Sequence, residues 1–495
     1  MKILLAGYNL DTEVIESLKK TSPGREDVTP ETLSAAYARI SRDARPVDEL
    51  RAVARGEVEK ARKSNRSIIF QMGHHSVAEH AVFNFDILGV SRLAIEEIER
   101  FRLAAYTEKS QRYQELKDDF VIPDEIKGGP FEDLFIKTIK EQNNFYHRLF
   151  EALKPYVFKK HHQLAEEEKN HRMIEGWAKE DARYIASLAT EGQLGETINA
   201  RALELLFRRF ASHEFSEVRE IGKRLYAAVE RIAPSIILFT KENDYDQKTM
   251  GELKTLAKEM VKGKKVKGIR EVALENFTED ADEIVIAALL HSSSALPFLE
   301  CLKTTKRMKL AEKKKIIMTA LNHMELFDAA PREFEYINMA YDLIVSAACF
   351  GQLKRHRIAS ITCQPYDPSL GVTIPDSIKD VRMEKEFVGV IDRTNDAFER
   401  ISKKMPDPAQ YVLTNSHRKR VLFGVNAREL YHISRMREDW TAQWDIRDIT
   451  AKMSKAAKEA MPLTMMLIGG KDKYPEIYKK VYGRPPKVLE AKLPV

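Results

Sequence analysis

The chain repeats itself, and a repeat missed at the outset leads to a wrong reading of the whole fold. Asn199-Ala200-Arg201-Ala202-Leu203 returns as Asn426-Ala427-Arg428-Glu429-Leu430. Glu217-Val218-Arg219 and Asp445-Ile446-Arg447 each precede a proline, Pro234 and Pro462, by the same 17 positions counted from the acid. Upstream, Arg100-Phe101-Arg102 matches Arg355-His356-Arg357, each at the end of an apolar-periodic stretch (Leu93 to Ile98; Ile344 to Leu353). Two copies of one unit therefore lie in tandem, residues 1–245 and 269–495. The segment between them, 246–268, is rich in lysine (Lys248, Lys254, Lys258, Lys262, Lys264, Lys265) and reads as a linker. Those lysines lack interleaved aromatics, so they read as a solvated face rather than a nucleic-acid patch.

With 495 residues the chain has ample material for buried cores, and its net charge of +6 is spread over a sequence in which 32% of residues are charged. That balance argues against a dedicated nucleic-acid binder. No apolar run approaches the roughly 20 residues of a membrane helix. Met1 to Gly7 is followed at once by Asp11 and Glu13, so it reads as a first strand rather than a signal peptide. Cys301, Cys349 and Cys363 form no CxxC pair, which disfavours disulfides and cysteine-bound zinc and makes the cytoplasm the expected compartment. Strand-like segments, Ile68-Ile69-Phe70 and Ala81 to Leu88, sit among longer helical stretches such as Phe131–Lys159. The expected class is α+β, a mixed α/β fold. GxGxxG and GxxxxGK[ST] loops are both absent, so a dinucleotide must be held another way.

Polar groups concentrate in His74-His75-Ser76-Val77-Ala78-Glu79-His80, in Ser91-Arg92, and in Arg100-Phe101-Arg102, followed after seven residues by Ser110-Gln111-Arg112-Tyr113. His75 and Glu79 at i,i+4 share a helical face as a metal pair would, but no third ligand follows at a usual spacing, and no metal is expected. Ser110 has an alternative as a capping hydroxyl. Trp440 and Trp444 read as packing anchors.

The order HxS, EH, SR, R-x-R, seven residues, S-x-R-Y and a later N-A-R resembles the flavin-dependent thymidylate synthase family, and the second copy's Gln352 to Arg357 and Asn426 to Leu430 fit the same pattern. The resemblance covers most of the chain, once per copy. It implies a fold whose sites form where subunits meet, and the binding of FAD, dUMP, methylenetetrahydrofolate and NADPH. It further implies cofactor contacts at His74, Ser76, His356, Arg357, Asn426 and Arg428. The substrate contacts it implies are Gln352, Arg355, Glu108, Ser110, Arg112, Tyr113, Arg183 and Arg437, with Arg437 and Arg355 the catalytic candidates. Forked arginine donors suit phosphate and the carbonyl edge of a base.

The copies depart from the family pattern in opposite ways. In the first, Phe101 replaces the histidine of the RHR element and Glu97 its glutamine, while Glu108, Ser110, Arg112, Tyr113 and Arg183 are kept. In the second, Gln352, Arg355, His356 and Arg357 are kept, but Cys363, Pro365 and Asp367 stand where Glu108, Ser110 and Arg112 stand in the first, and Gln410 replaces Arg183. Losses so divided point to complementation, with two chains forming a pseudo-tetramer that has two composite sites. Helix arithmetic separates the late arginines. Arg437 lies 11 residues after Asn426, about 20° from the same face, whereas Arg209 lies 10 after Asn199 and Phe210 takes the in-phase place. The reading for the whole chain is reductive methylation of dUMP to dTMP by a homodimer. The alternatives are a nucleotide-binding pseudoenzyme and a flavin enzyme for another pyrimidine nucleotide.

Overall fold

Each copy builds its sheet from short alternating segments whose inward positions are mostly apolar and whose outward positions are mostly polar or small, the pattern of an antiparallel sheet with one buried face. The computed structural model describes residues 1–18, 20, 28–40, 43–112, 114–264 and 270–487. The first sheet runs β1 (Lys2–Tyr8), β2 (Val82–Ser91), β4 (Glu191–Asn199), β3 (Ala104–Glu108) in spatial order, all antiparallel. The second runs β5 (Val272–Phe277), β6 (Asn338–Ser346), β8 (Arg418–Asn426), β7 (Ser360–Cys363) in the same order and sense. Phe85 sits between Leu5 and Glu196 in the first, Tyr341 between Leu274 and Phe423 in the second. The mixed α/β class and the duplication are both present. One difference is a bulge at Gly89, where φ is +70° and a Cβ would lie 3.0 Å from the Met1 nitrogen. Only glycine fits there without strain.

The helices that matter to the site are α1 (Arg92–Ile98), α2 (Glu132–Lys160), α3 (His171–Ala182), α4 (Ala200–Ala211), α5 (Ser216–Val229), α6 (Asp244–Met260), α7 (Ala347–Leu353), α8 (Glu384–Ser402), α9 (Ala427–Arg437) and α10 (Trp444–Ala460). The duplication extends to single hydrogen bonds. Ser91 caps α1 by accepting from the Ala94 amide at 2.9 Å, and its hydroxyl donates to Glu217 of α5 at 2.6 Å. Ser346 caps α7 by accepting from the Cys349 amide at 3.0 Å and donates to Asp445 of α10 at 2.5 Å. Replacing Ser346 with alanine strands a buried amide and a buried carboxylate together. It is expected to lower the unfolding free energy by about 2–4 kcal/mol. An unchanged melting temperature in Ser346→Ala would show that the clamp carries no stability.

The compact units do not follow the two copies. One unit is Met1–Lys265 with Asp376–Leu413, the other Val266–Pro375 with Thr414–Val495. Within the first unit α8, from the second copy, packs along α2, and the Gln142 amide donates to the Thr394 hydroxyl and to the Val412 carbonyl, both at 2.8 Å. The Tyr411 hydroxyl donates to Glu217 at 2.8 Å, joining the same segment to the α5 clamp.

Two local expectations are corrected. Ile68-Ile69-Phe70 forms no strand: it lies in a single π-turn, Ser67–Gln71, that runs straight on from a preceding helix and buries Ile69. A short apolar run does not by itself distinguish strand from helix. Most of the lysine-rich linker is helix α6, started by a capping box between Asn243 and Asp246 and fastened by Arg208–Asp246 at 2.8 Å and Lys254–Glu214 at 2.6 Å. Residues 265–268 of that linker lie outside the described residues.

Candidate functional site

In the second unit the last turn of α7 delivers Gln352, and the turn after it delivers Arg355, His356 and Arg357. Gln352 and His356 are buried, whereas Arg355 and Arg357 are exposed. Arg437, at the end of α9, donates from Nε to His356 Nε2 at 3.0 Å and from a terminal nitrogen to the Gln352 carbonyl at 3.4 Å. An arginine nitrogen can only donate, so His356 Nε2 carries the lone pair and its proton sits on Nδ1, which faces Glu429 at 3.7 Å. Burial lowers the His356 pKa below the ordinary histidine value, against the pull of Glu429, and keeps the ring neutral. The Gln352 amide donates to the Gln443 side chain at 3.3 Å. Of three residues expected to act together, Gln352 and His356 both accept from the third, Arg437.

Two expected cofactor residues of this unit have other duties. Arg428 donates to the Ala330 carbonyl at 2.7 Å and to Glu335 at 3.0 Å, which ties α9 to the 330–336 segment rather than presenting a free cation. Asn426 is the N-cap of α9, accepting from the Glu429 amide at 2.8 Å. Its backbone is extended, so the helical arithmetic that placed it in phase with Arg437 does not apply to it. Asn426 nevertheless lines a pocket of about 390 Å³ with Asn276, Thr278, Asn338, Ser360 and Gly424. Asn276 and Asn338 had no motif to reveal them; strand pairing brings them there.

The corresponding place in the first unit is filled with rings. Phe101 and Phe210 meet edge to face at 5.8 Å, and the exposed Arg209 lies over the Phe101 ring at 5.7 Å. The in-phase residue thus makes the contact, with phenylalanines where the second unit has arginine on histidine. Glu97, opposite Gln352 in the repeat, pairs with Arg100 at 2.7 Å and His213 at 3.2 Å. Burial alone would raise its pKa, but His213 and Arg100 carry it down to about 2.

The first unit keeps a different set. Glu108 ends β3 and Ser110 accepts from the Arg112 amide at 3.2 Å, the capping role open to it from sequence. Arg112 pairs with Glu180 of α3. Arg183 is buried beside the same glutamate. Burial lowers its pKa, Glu180 opposes that, and the cations Arg112 and Arg92 add to the lowering. Arg92 pairs with Glu96 at 3.2 Å. The loop carrying Ser110 is held by the Tyr146 hydroxyl, which accepts from the Leu116 amide at 3.4 Å and whose pKa burial pushes up to about 12. Tyr113 lies outside the described residues. His74 and Ser76 are exposed at the start of a short 3₁₀ turn, and Glu79 of that turn is paired with Arg201. Among the described residues no group of three His, Cys, Asp or Glu converges as metal ligands.

Glu108 and Ser110 line an open cleft of about 1050 Å³ together with Lys2, Lys109, Lys169 and Arg172. Lys169 and Arg172 were not singled out in the sequence, because some 60 positions separate them from the loop they face.

The two copies thus share one α/β unit, with Arg112 and Arg183 gathered at Glu180 in the first and Arg437 on His356 and Gln352 in the second. The profile of the thymidylate synthase complementing protein family (Thy1) matches residues 26–235 and again 273–463, and the chain belongs to that family. A UPF0159 protein of Chlamydia muridarum is 24% identical over 82% of this chain and 80% of its own length. The UPF0159 protein of Thermoplasma acidophilum is 23% identical over 86% and 93%. The flavin-dependent thymidylate synthase of Clostridium tetani is 28% identical over 43% of this chain and 82% of its own. Among solved structures, thymidylate synthase X of Helicobacter pylori with FAD and dUMP matches 48% of this chain and 99% of its own at 16% identity, with a TM-score of 0.30. No helix among the described residues is long and apolar enough to cross a membrane.

Proposed function

We propose that this protein is a flavin-dependent methyltransferase that converts dUMP to dTMP with methylenetetrahydrofolate and NADPH, in which each copy supplies the half of the chemistry that the other has lost. The observation that carries the reading is the exchange of Arg437 on His356 for Phe210 on Phe101, set against the retention of Glu108, Ser110, Arg112 and Arg183 in the other copy. Membership of the family and the names of the thymidylate synthase relatives support it.

The donor set of the second unit suits a flavin. Arg355, Arg357 and the asparagine-lined pocket around Asn426 would hold it, with amides for the polar edge of its ring and cations for its phosphates. His74 and Ser76, exposed in the first unit, are proposed to add contacts to it. Arg428, already paired, is assigned a bracing role instead. A reduced flavin, when bound, supplies the hydride that completes the methyl group. The chain's own residues position and stabilise. Ser110, Arg112, Tyr113 and Arg183 bind the nucleotide and Glu108 orients it, while Gln352, Arg355 and Arg437 meet its base. Arg437, oriented by the neutral His356 and the Gln352 carbonyl, is a pre-aimed cation for the charge that develops on the pyrimidine.

The direct test is a flavin titration followed by dUMP. A yellow protein whose visible bands shift on adding dUMP, and which then forms dTMP, supports the reading. Absence of flavin binding at micromolar FAD leaves a nucleotide-binding scaffold without this chemistry. The proposal includes a homodimer, in which four copies of the unit assemble. Light scattering is expected to give twice the chain mass of 56.9 kDa. A monomer that turns over dUMP would remove that part.

A further inference from the structure

Helix α6 is amphipathic, yet its apolar face is open. None of its 17 residues is buried. Helices of that length are marginal in water by themselves and draw most of their stability from packing an apolar face, and Gly251 in the middle weakens this one further. Two ion pairs fasten it to the first unit, Arg208–Asp246 at its first turn and Lys254–Glu214, and surface ion pairs contribute little. It also lies between the two matched family regions, 26–235 and 273–463, so neither copy of the shared unit accounts for it.

At 100° per residue, Tyr245, Met250, Leu253, Leu256 and Met260 fall within about 140° of one another. They are 49% to 72% exposed, and the exposed Val261 extends the strip past the helix end. Together these six side chains leave roughly 600 Å² of apolar surface open, the top of the range for the largest patch of a single chain. In the first turn the arc meets the rest of the unit, where Asp246 takes Arg208. The two borders of the arc differ in sign. Glu252 and Glu259 line one, Lys254 and Lys258 the other.

We propose that this face of α6 docks the same helix of a second copy of the chain, the two running parallel about a two-fold axis. Parallel packing sets the acidic border of each helix against the lysine border of the other, whereas antiparallel packing would set acid on acid. Lys254 already holds Glu214, but an ammonium has three protons to donate and can serve both. Two such strips bury about 1,200 Å² in all, the lower end for a stable interface. A lipid surface would be matched by cations along both borders, which this helix lacks. The inference takes from the proposed function only that two chains associate, and not the flavin chemistry.

The experiment measures mass by sedimentation equilibrium for the full-length protein and for Leu253→Glu combined with Met260→Glu, and adds a disulfide trap. Both altered side chains are exposed, so the body of the fold is expected to hold, which melting checks. The wild type is expected at twice 56.9 kDa at micromolar concentration and the double variant at 56.9 kDa, its dissociation constant raised at least about a hundredfold. In a parallel pair each position faces itself, so Ala257→Cys, inside the arc, is expected to form a chain-to-chain disulfide under mild oxidation. Thr255→Cys, on the opposite side of the helix, is not, and neither is the wild type, whose Cys301 and Cys349 are buried. A double variant that stays dimeric overturns the proposal, because the chains then join elsewhere. So does a dimer that Ala257→Cys fails to link, and so does a wild-type monomer. A monomer that sediments with phosphatidylserine vesicles, and loses them in the double variant, would make a lipid surface the occupant instead. A flavin-loaded, dTMP-forming dimer whose mass is indifferent to the variant removes this surface and leaves the enzyme. Linkage through Ala257→Cys in a protein that takes no flavin does the reverse.

Discussion

Arg437→Ala is expected to lower the rate of dTMP formation by about 10²–10³-fold, the loss typical of removing one pre-aimed donor from a developing anion. The effect belongs in kcat rather than in KM, since the nucleotide is assigned mainly to the loop around Ser110 and Arg112 in the other copy. Arg437→Lys is expected to restore little. One ammonium cannot hold the His356 nitrogen and the Gln352 carbonyl from two points of a planar fork, and without both the cation loses its aim. The histidine adds a pH signature. Its lowered pKa keeps Nε2 as an acceptor through neutral pH, so the Arg437 contact and the activity should fail only as pH falls below the ordinary histidine range. Phe210→Arg in the first copy is the control. It should add no activity, because the group it faces is a phenyl ring rather than an imidazole. An Arg437→Ala enzyme with half the wild-type kcat would end the assignment.

The opposition of Arg437 and Phe210 was legible in the sequence because it depends only on counting within one helix. Both residues sit in the last turn of a regular helix, where 100° per residue still holds. The same arithmetic failed at Asn426 and Asn199, which cap their helices from extended backbone. Arg428 looked like a site residue because it belongs to a motif, yet its partners Ala330 and Glu335 lie nearly a hundred positions upstream, and no local rule reports such a contact. The linker was read from composition, and lysines are as much at home on a solvated helix as in a loop; the signal that decided was the capping pair Asn243 and Asp246. What lay furthest from view was the cleft, assembled from β1, β2, β3, β4 and the segment around Lys169. The repeat was visible, but the way α8 packs in the first unit was not, because a duplication says which segments are alike and not which ones pack together.

Glu196 leads to a prediction that no motif suggests. It sits on the inner face of β4 between Phe85 and Tyr106, buried to 2% exposure, where the second copy has the fully buried Phe423. Burial raises its pKa from 4.5 to about 8, and the Tyr106 hydroxyl offsets only part of that. An acid whose pKa is higher in the folded state favours the fold while it is protonated. That contribution is complete below the unfolded value and is lost as pH climbs to the folded one. Stability should therefore fall between about pH 4.5 and 8, by as much as about 5 kcal/mol if no relaxation or water entry softens it. Glu196→Gln keeps the shape and removes the proton. It should flatten the dependence and melt higher than wild type above pH 8, with the two curves converging toward pH 5. Denaturant melts across that range decide the matter: parallel curves for the two proteins would mean that water or a partner chain reaches the carboxylate and that it is ionised at no cost.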